Sequence, residues 1–329
     1  MKIDSGRLAR MADGAAVATM GDTSVLVTAV GKTKSSSANF VPLVVDYRQK
    51  AAAAGRIPTN FMRRELGSSD KEILTSRLID RSLRPLFPEG YYSDTQIMCN
   101  LLAVDGVHDP DVISINAASA ALSVSDIPWN GPIGAVRVGL IDNEVIVNPT
   151  RKEQSDSILN LIVVAAHQNL VVMLEATADC VKQQDFLKAI KIGVRECQHV
   201  VQGIQKLQKE KGKPKRQLDE KSITMVPQEI TDACKSFGEL KLKTIFTDAS
   251  FDKLGRDNAV TVLKTSVVDR LRANFPEVDP SAINEAFSKL SKSIFRNLIL
   301  EEKSRFETFI FLSSCLIFFW LVVRDDAVC

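Results

Sequence analysis

A short basic segment, Gly212-Lys-Pro-Lys-Arg-Gln-Leu-Asp219, separates two stretches of chain whose apolar residues follow different periods. Before it, short apolar runs bounded by glycine, proline and aspartate read as strands mixed with helices. After it, apolar residues recur only at helical spacing. The segment's lysines, proline and glycine favour a solvated turn, which is how a domain boundary reads, and 329 residues suffice for two domains. We expect an α+β domain over residues 1–210, a linker over 211–219, an all-helical domain over 220–303 and an atypical apolar tail over 304–329.

Within the first stretch, Gly14–Val30 holds two apolar runs around Gly21-Asp22-Thr23, a hairpin signal. Phe40–Tyr47 reads as a further strand and Ala51–Ser69 as loop. Asp70 or a neighbour then caps a helix running to Leu86, where Pro85 and Pro88 end it. Thr95–Val104 reads as a strand, and Asp109–Ser125 as a helix whose alanines and serines let it pack close to a sheet. Strands follow at Ala135–Ile141, Glu144–Val147, Asn160–Ala166 and Val171–Ala176, then a long helix from about Asp179 to Glu210. Beyond the linker, Gln228–Gly238, Phe251–Asn274 and Ser281–Glu302 show helical periodicity.

Composition removes several function classes. Forty-two basic against forty acidic residues give a net charge of +2, so any polyanion surface has to come from local clustering. Six scattered cysteines without a C-x-x-C pair read as reduced thiols, and three histidines without ligand spacing argue against zinc hydrolysis. Gly31-Lys32-Thr33 resembles the end of a phosphate-binding loop, but Leu26 stands where that motif needs glycine. A strand-end turn is the better reading.

The loop Gly55-Arg56-Ile57-Pro58-Thr59-Asn60-Phe61-Met62-Arg63-Arg64-Glu65 is more informative. An aromatic beside paired arginines suits single-stranded nucleic acid, because guanidinium groups pair with phosphate while the ring stacks on a base. Arg77, Arg81 and Arg84 share one face of the following helix. The alternative is that these arginines pair with Glu65, Asp70, Glu72, Asp80 and Glu89, and spacing alone favours that. Asp105, Asp109 and Asp111 cluster near a strand end, although Asp109-Pro110 reads equally as a helix cap.

At the far end, Phe309–Val323 is a fifteen-residue apolar run, short of the ~17–25 residues of a membrane-spanning helix. It reads either as an anchor or interfacial segment or as sequence outside the fold, and we carry the second reading forward. Membrane contact through it is not expected.

Several segments together resemble polynucleotide phosphorylase, the phosphate-dependent 3′→5′ exoribonuclease family built from two RNase PH-type cores. They are SGRLARMADGAAVATMGDTSVLVTAV (5–30), VDYRQKAAAAGRIPTNFMRRE (45–65), SRLIDRSLRPLFPEGY (76–91), LLAVDGVHDPDVISINAASAAL (101–122), SDIPWNGPIGAVRVG (125–139) and VNPTRKE (147–153). The resemblance runs to about Glu302. It implies an RNase PH-like core, of the ribosomal protein S5 domain 2-like class, followed by the family's helical domain.

The resemblance also implies a division of labour. The family's second core supplies catalysis with Mg²⁺ and inorganic phosphate, and its opening signature is expected after Arg305. There the chain reads Phe306-Glu307-Thr308 and enters the apolar run, so we expect the first core and helical domain only. The family's metal-binding signature, Asp-X-Asp-Phe-Lys, corresponds here to the strand opening Ile158-Leu159-Asn160-Leu161-Ile162, which has no acid or lysine. We therefore expect no catalytic residue, no metal ligand and no cofactor on this chain itself. RNA contact does carry over: Phe61, Arg63 and Arg64 match the aromatic–Arg–Arg loop that narrows the channel of a three-subunit ring, with Met62 in place of a second aromatic and Arg56 as a weaker candidate. The partners implied are single-stranded RNA and two further copies in a homotrimer. The wording of the segments resembles animal organelle members and implies mitochondria. No targeting peptide is visible at the N-terminus, and the cytoplasm is the alternative.

Overall fold

Three antiparallel strands open the fold: β1 (Lys2–Asp4), β2 (Gly14–Met20) and β3 (Thr23–Ser35). In this computed structural model, residues 1–35, 40–65, 67–217, 227–248, 250–275, 278 and 280–301 are described. β2 and β3 make the hairpin expected around Gly21-Asp22, paired from Gly14 opposite Ala29 to Met20 opposite Thr23. Gly21 sits at φ +59°, and a Cβ there would come within 2.7 Å of the Asp105 carboxylate and 2.9 Å of the His108 ring. Only glycine fits that turn.

β4 (Leu43–Arg48) starts three residues later than the expected Phe40. Pro42 lacks an N–H for the ladder, and Phe40 stays 67% exposed. After the Ala51–Ala54 single turn and the loop come α1 (Asp70–Leu83) and β5 (Ser93–Ala103). Ser69, not Asp70, caps α1, with Glu72 returning a hydrogen bond to the Ser69 N–H in a capping box. β4 joins β5 in parallel, giving a five-stranded sheet in the order β1-β2-β3-β5-β4. Its covered face carries Val25, Val27, Ala29, Ile97, Cys99 and Tyr47, all buried.

α2 (Pro110–Val124) buries fourteen of its fifteen residues, so it has no solvated face and its polar side chains need partners. The second sheet supplies them. Its strands are β6 (Ile133–Ile141), β7 (Glu144–Val147), β8 (Leu159–Ala166) and β9 (Val171–Ala178), ordered β7-β6-β8-β9. β7 is too short to cover the edge of β6 at residues 133–137. There Ser119 bonds the N–H and carbonyl of Ile133 at 2.9 and 2.8 Å, and Asn116 does the same for Ala135 at 2.7 and 2.9 Å. Asn148 finishes the edge by accepting from the Arg137 N–H at 3.1 Å. Side chains of a helix thus complete a strand's hydrogen bonding.

Between β7 and β8 lies α3 (Arg151–Asp156), capped by Thr150 and Glu153, an element too short to carry a visible period. α4 (Gln183–Lys211) covers the other face of the second sheet, where Val136, Val138, Leu140, Leu159, Leu161 and Val163 meet Ala189, Ile190 and Cys197. A Cβ on Gly134 would lie 2.4 Å from the Cys197 carbonyl oxygen, so glycine is what lets α4 approach β6. The Cys197 thiol is pushed up to about 12 by burial and is inert at neutral pH.

The chain divides into two compact units, Met1–Ser222 and Ile223–Cys329. Residues 212–216 do not leave the first unit as free linker, since Lys213 and Arg216 donate backbone N–H bonds to Val124 and Asp126. In the second unit α5 (Gln228–Thr247), α6 (Lys253–Asn274) and α7 (Pro280–Leu300) enclose Ile230, Cys234, Leu242, Val267, Leu271, Ile283 and Phe287. α5 continues past the expected stop at Gly238, a buried position where that glycine faces Leu290 and Phe287. A Cβ there would meet Leu290 at an ordinary 3.5 Å, so the glycine marks neither a helix end nor a close approach. The apolar run Phe309–Val323 lies outside the described residues. Among the described residues no helix is long and apolar enough to cross a membrane.

Candidate nucleic-acid interface

Arg56, Phe61, Arg63 and Arg64 stand on one loop at the end of the first sheet where β5 finishes. The loop is anchored through its backbone: Val104 N–H donates to Ala53 at 3.1 Å, Arg56 N–H to Ala51 at 3.0 Å, and the Glu65 carboxylate accepts the Ala51 N–H at 2.5 Å. Asn60 braces the tip, accepting the Arg64 N–H at 3.0 Å and donating to the Arg64 carbonyl. Arg63 takes φ +52°, a left-handed conformation uncommon for a side chain of its size, and its N–H donates to Asn60 at 3.0 Å.

These bonds use backbone groups and leave the side chains outward. Phe61 is fully exposed and Met62 is 57% exposed. Among the described residues the guanidinium groups of Arg56, Arg63 and Arg64 make no ion pair. Two of the acids that could have paired with them serve backbone N–H groups instead: Glu65 that of Ala51, Glu72 those of Gln49 and Ser69. An unneutralised arginine pair beside an exposed ring can hold phosphate and stack a base.

The arginines of α1 behave differently. Arg84 donates to Asp80 at 2.9 and 2.7 Å and to the carbonyls of Val41 and Leu43 at 2.7 and 3.2 Å. Arg81 pairs at 2.9 Å with Glu175, an acid 94 positions away that spacing could not nominate. Arg77 is exposed on the same helix.

At the N-terminus of α2 the acidic cluster is spent. Asp109 makes no capping bond with its side chain. Its carboxylate instead takes Arg137 at 3.3 Å, Arg151 at 2.9 Å and Lys71 at 3.6 Å. Burial alone would raise the Asp109 carboxyl, but Arg137, Lys71 and Arg151 outweigh it and hold the group below the usual carboxylate range. Arg137, 6% exposed, also pairs with Asp111 and donates to Asn160 at 3.2 Å. Asp105 accepts the Val107 and His108 N–H groups at 2.7 and 2.9 Å and holds His108 Nδ1 at 2.7 Å. Burial opposes ionisation there too, and these donors more than offset it, so the Asp105 carboxyl lies well below its ordinary value.

All three carboxylates at this end of α2 are thus engaged by side-chain cations or backbone N–H groups. Among the described residues no cluster of His, Cys, Asp or Glu could hold a metal ion. Arg137 escaped the sequence reading, yet its place in an otherwise apolar strand, Gly-Ala-Val-Arg-Val-Gly, marks a buried, paired charge.

Two sheets, a helix buried between them and an outward arginine loop make up the first unit. Models of the 3′ exoribonuclease family match residues 1–128 as domain 1 and 131–196 as domain 2. A third, the polyribonucleotide nucleotidyltransferase RNA binding domain, matches residues 229–307. The chain belongs to the polyribonucleotide nucleotidyltransferase family. It is 42% identical over 305 residues to the polyribonucleotide nucleotidyltransferase of Methylacidiphilum infernorum (isolate V4), covering 92% of this chain and 42% of that protein. It is 36% identical over 312 residues to polyribonucleotide nucleotidyltransferase 2, mitochondrial, of Oryza sativa subsp. japonica, covering 93% of this chain and 31% of that one. The chain thus spans less than half the length of these relatives. Among solved structures, rice Rrp46 matches with a TM-score of 0.52 at 18% identity, covering 63% of this chain and 93% of its own. The Archaeoglobus fulgidus exosome with RNA bound to the active site matches with a TM-score of 0.50 at 17% identity, covering 61% and 87%. These two likenesses concern the fold.

Proposed function

We propose that this chain supplies the RNA-guiding, non-catalytic first core of a phosphorolytic 3′→5′ exoribonuclease. In that reaction inorganic phosphate attacks the terminal 3′ phosphodiester and releases a nucleoside diphosphate; the reverse adds nucleotides. Phe61 stacks on a base of the incoming single strand, while Arg63, Arg64 and, less directly, Arg56 hold its phosphates. The observation that carries this reading is the loop itself, braced through its backbone with its ring exposed and its arginines free of ion pairs. Mg²⁺ and phosphate act in a second RNase PH core, outside the residues described. Three copies form a ring that gathers three such loops around the RNA path, and the protein works in mitochondria, with the cytoplasm as the alternative.

A second reading is that this polypeptide acts as a non-enzymatic RNA-binding or assembly subunit. It is favoured by β8, where Leu159, Leu161 and Val163 pack fully buried against α4 and leave no acid or lysine on that face. One experiment tests what both readings share, that this core is itself non-catalytic: the purified chain is mixed with 3′-labelled oligoadenylate, Mg²⁺ and phosphate, and ADP release is followed beside RNA crosslinking. Crosslinking that depends on Arg63 and Arg64, without ADP, supports the non-catalytic core. Sustained ADP release shows that this core is itself active. Sedimentation at micromolar concentration tests the ring, since a clean monomer contradicts it.

A further inference from the structure

Two basic segments about two hundred positions apart meet in the first unit. One is the loop 5–13 between β1 and β2; the other is the strap 211–216 that follows α4. Lys211 Nζ donates to the Ser5 carbonyl at 2.9 Å and Lys213 Nζ to the Asp13 carbonyl at 2.7 Å, fastening both ends of the loop. The rest of the strap is used internally. Lys215 holds the carbonyls of Leu122 and Ser125 at 2.7 and 2.8 Å, at the C-terminus of α2. Arg216 pairs with Asp13 at 3.2 Å and Asp126 at 2.8 Å.

Charge accounting then favours an anionic partner. Residues 2–13 and 211–216 hold seven basic and two acidic side chains, on a chain whose net charge is only +2. Both acids are taken, Asp4 by Lys2 at 3.3 Å and Asp13 by Arg216. Carbonyl acceptors do not neutralise Lys211 and Lys213, and both residues are exposed. Arg7 and Arg10 are exposed and, among the described residues, make no ion pair. Met11 beside them is fully exposed and offers a polarizable apolar contact. Loop 5–13 leads into Gly14 opposite Ala29, whereas the Phe61 loop is pinned at Val104, past the other end of the sheet. Five or six residues of strand, roughly 20 Å, separate the two.

We propose that loop 5–13, with Lys211 and Lys213, is a second contact surface for the phosphate backbone of single-stranded RNA. The proposal rests on the chain's being RNA-guiding, but on different residues. Its test measures binding of the full chain to fluorescein-labelled oligoadenylate by anisotropy across a salt series. Each phosphate contact with a single strand contributes about 0.7 to the slope of log K against log salt. Arg7→Gln/Arg10→Gln is expected to lower the slope by about 1.4 and weaken binding roughly 25-fold at 0.1 M salt. Its melting curve should stay unchanged, because both side chains are exposed and unpaired. Lys188→Gln/Lys191→Gln, on the exposed side of α4, removes the same charge and should change little. An equal fall in slope for that control overturns the proposal in favour of bulk charge. So does an unchanged slope for Arg7→Gln/Arg10→Gln while Arg63→Ala/Arg64→Ala weakens binding. The reverse pattern keeps this surface and removes the Phe61 loop from the RNA path.

Discussion

Arg137 and the pair Arg63 and Arg64 carry the same group in opposite surroundings. Arg137 is buried, faces Asp109, Asp111 and Asn160, and ties the second sheet to the N-terminus of α2. Arg63 and Arg64 stand on a loop and, among the described residues, make no ion pair. The difference teaches that a guanidinium is structural or available according to what its neighbours have already bonded. Glu65 and Glu72 leave the loop's arginines free by capping backbone N–H groups instead.

The comparison breaks first at Arg137. Arg137→Ala strands the largely buried Asp111 carboxylate and takes one of three cations from Asp109, and is expected to cost about 3–5 kcal/mol in urea denaturation, with RNA crosslinking per folded molecule unchanged. A loss of crosslinking at full stability would erase the contrast. Arg84→Ala comes next, at about 1.5–3 kcal/mol, because Asp80 and two carbonyls lose a charged donor. The neighbouring Arg81→Ala should cost about 0–1 kcal/mol, since Arg81 and Glu175 are both half exposed.

Acid sharpens the contrast. Asp109 titrates below its unfolded value of about 3.9, so the unfolded chain takes up that proton first. The stabilisation is complete above about pH 4 and is lost as pH falls through the lower folded value. Urea midpoints between about pH 6 and pH 2.5 should fall less steeply for Asp109→Asn than for wild type. The smallest effect on stability belongs to Arg63→Ala/Arg64→Ala, within about 0.5 kcal/mol, while its RNA affinity and salt slope both fall.

Much of this fold was readable locally. The hairpin at Gly21-Asp22, the strands of the second sheet and the length of α4 all follow from period and turn residues. Errors gathered where a local signal had a nonlocal cause. Gly238 reads as a stop, yet α5 passes through it because that position is packed against α7. Asp109 before Pro110 reads as a cap, but its side chain is claimed by Arg137, Arg151 and Lys71. The loop's residue types suit single-stranded RNA, whereas spacing alone did not show that its arginines are free of ion pairs, because Glu65 and Glu72 turn to backbone N–H groups.

The sequence by itself determined the type of most of the longer strands and helices, because hydrophobic period is a property of neighbouring residues. It also determined that a chain with net charge +2 needs local clusters to meet a polyanion. Only the tertiary structure decided that β4 lies beside β5, that Arg81 meets Glu175, and that the strap at 211–216 closes over the loop at 5–13. Each is a pairing across dozens to hundreds of residues, where burial and competing partners set the outcome and spacing carries no information.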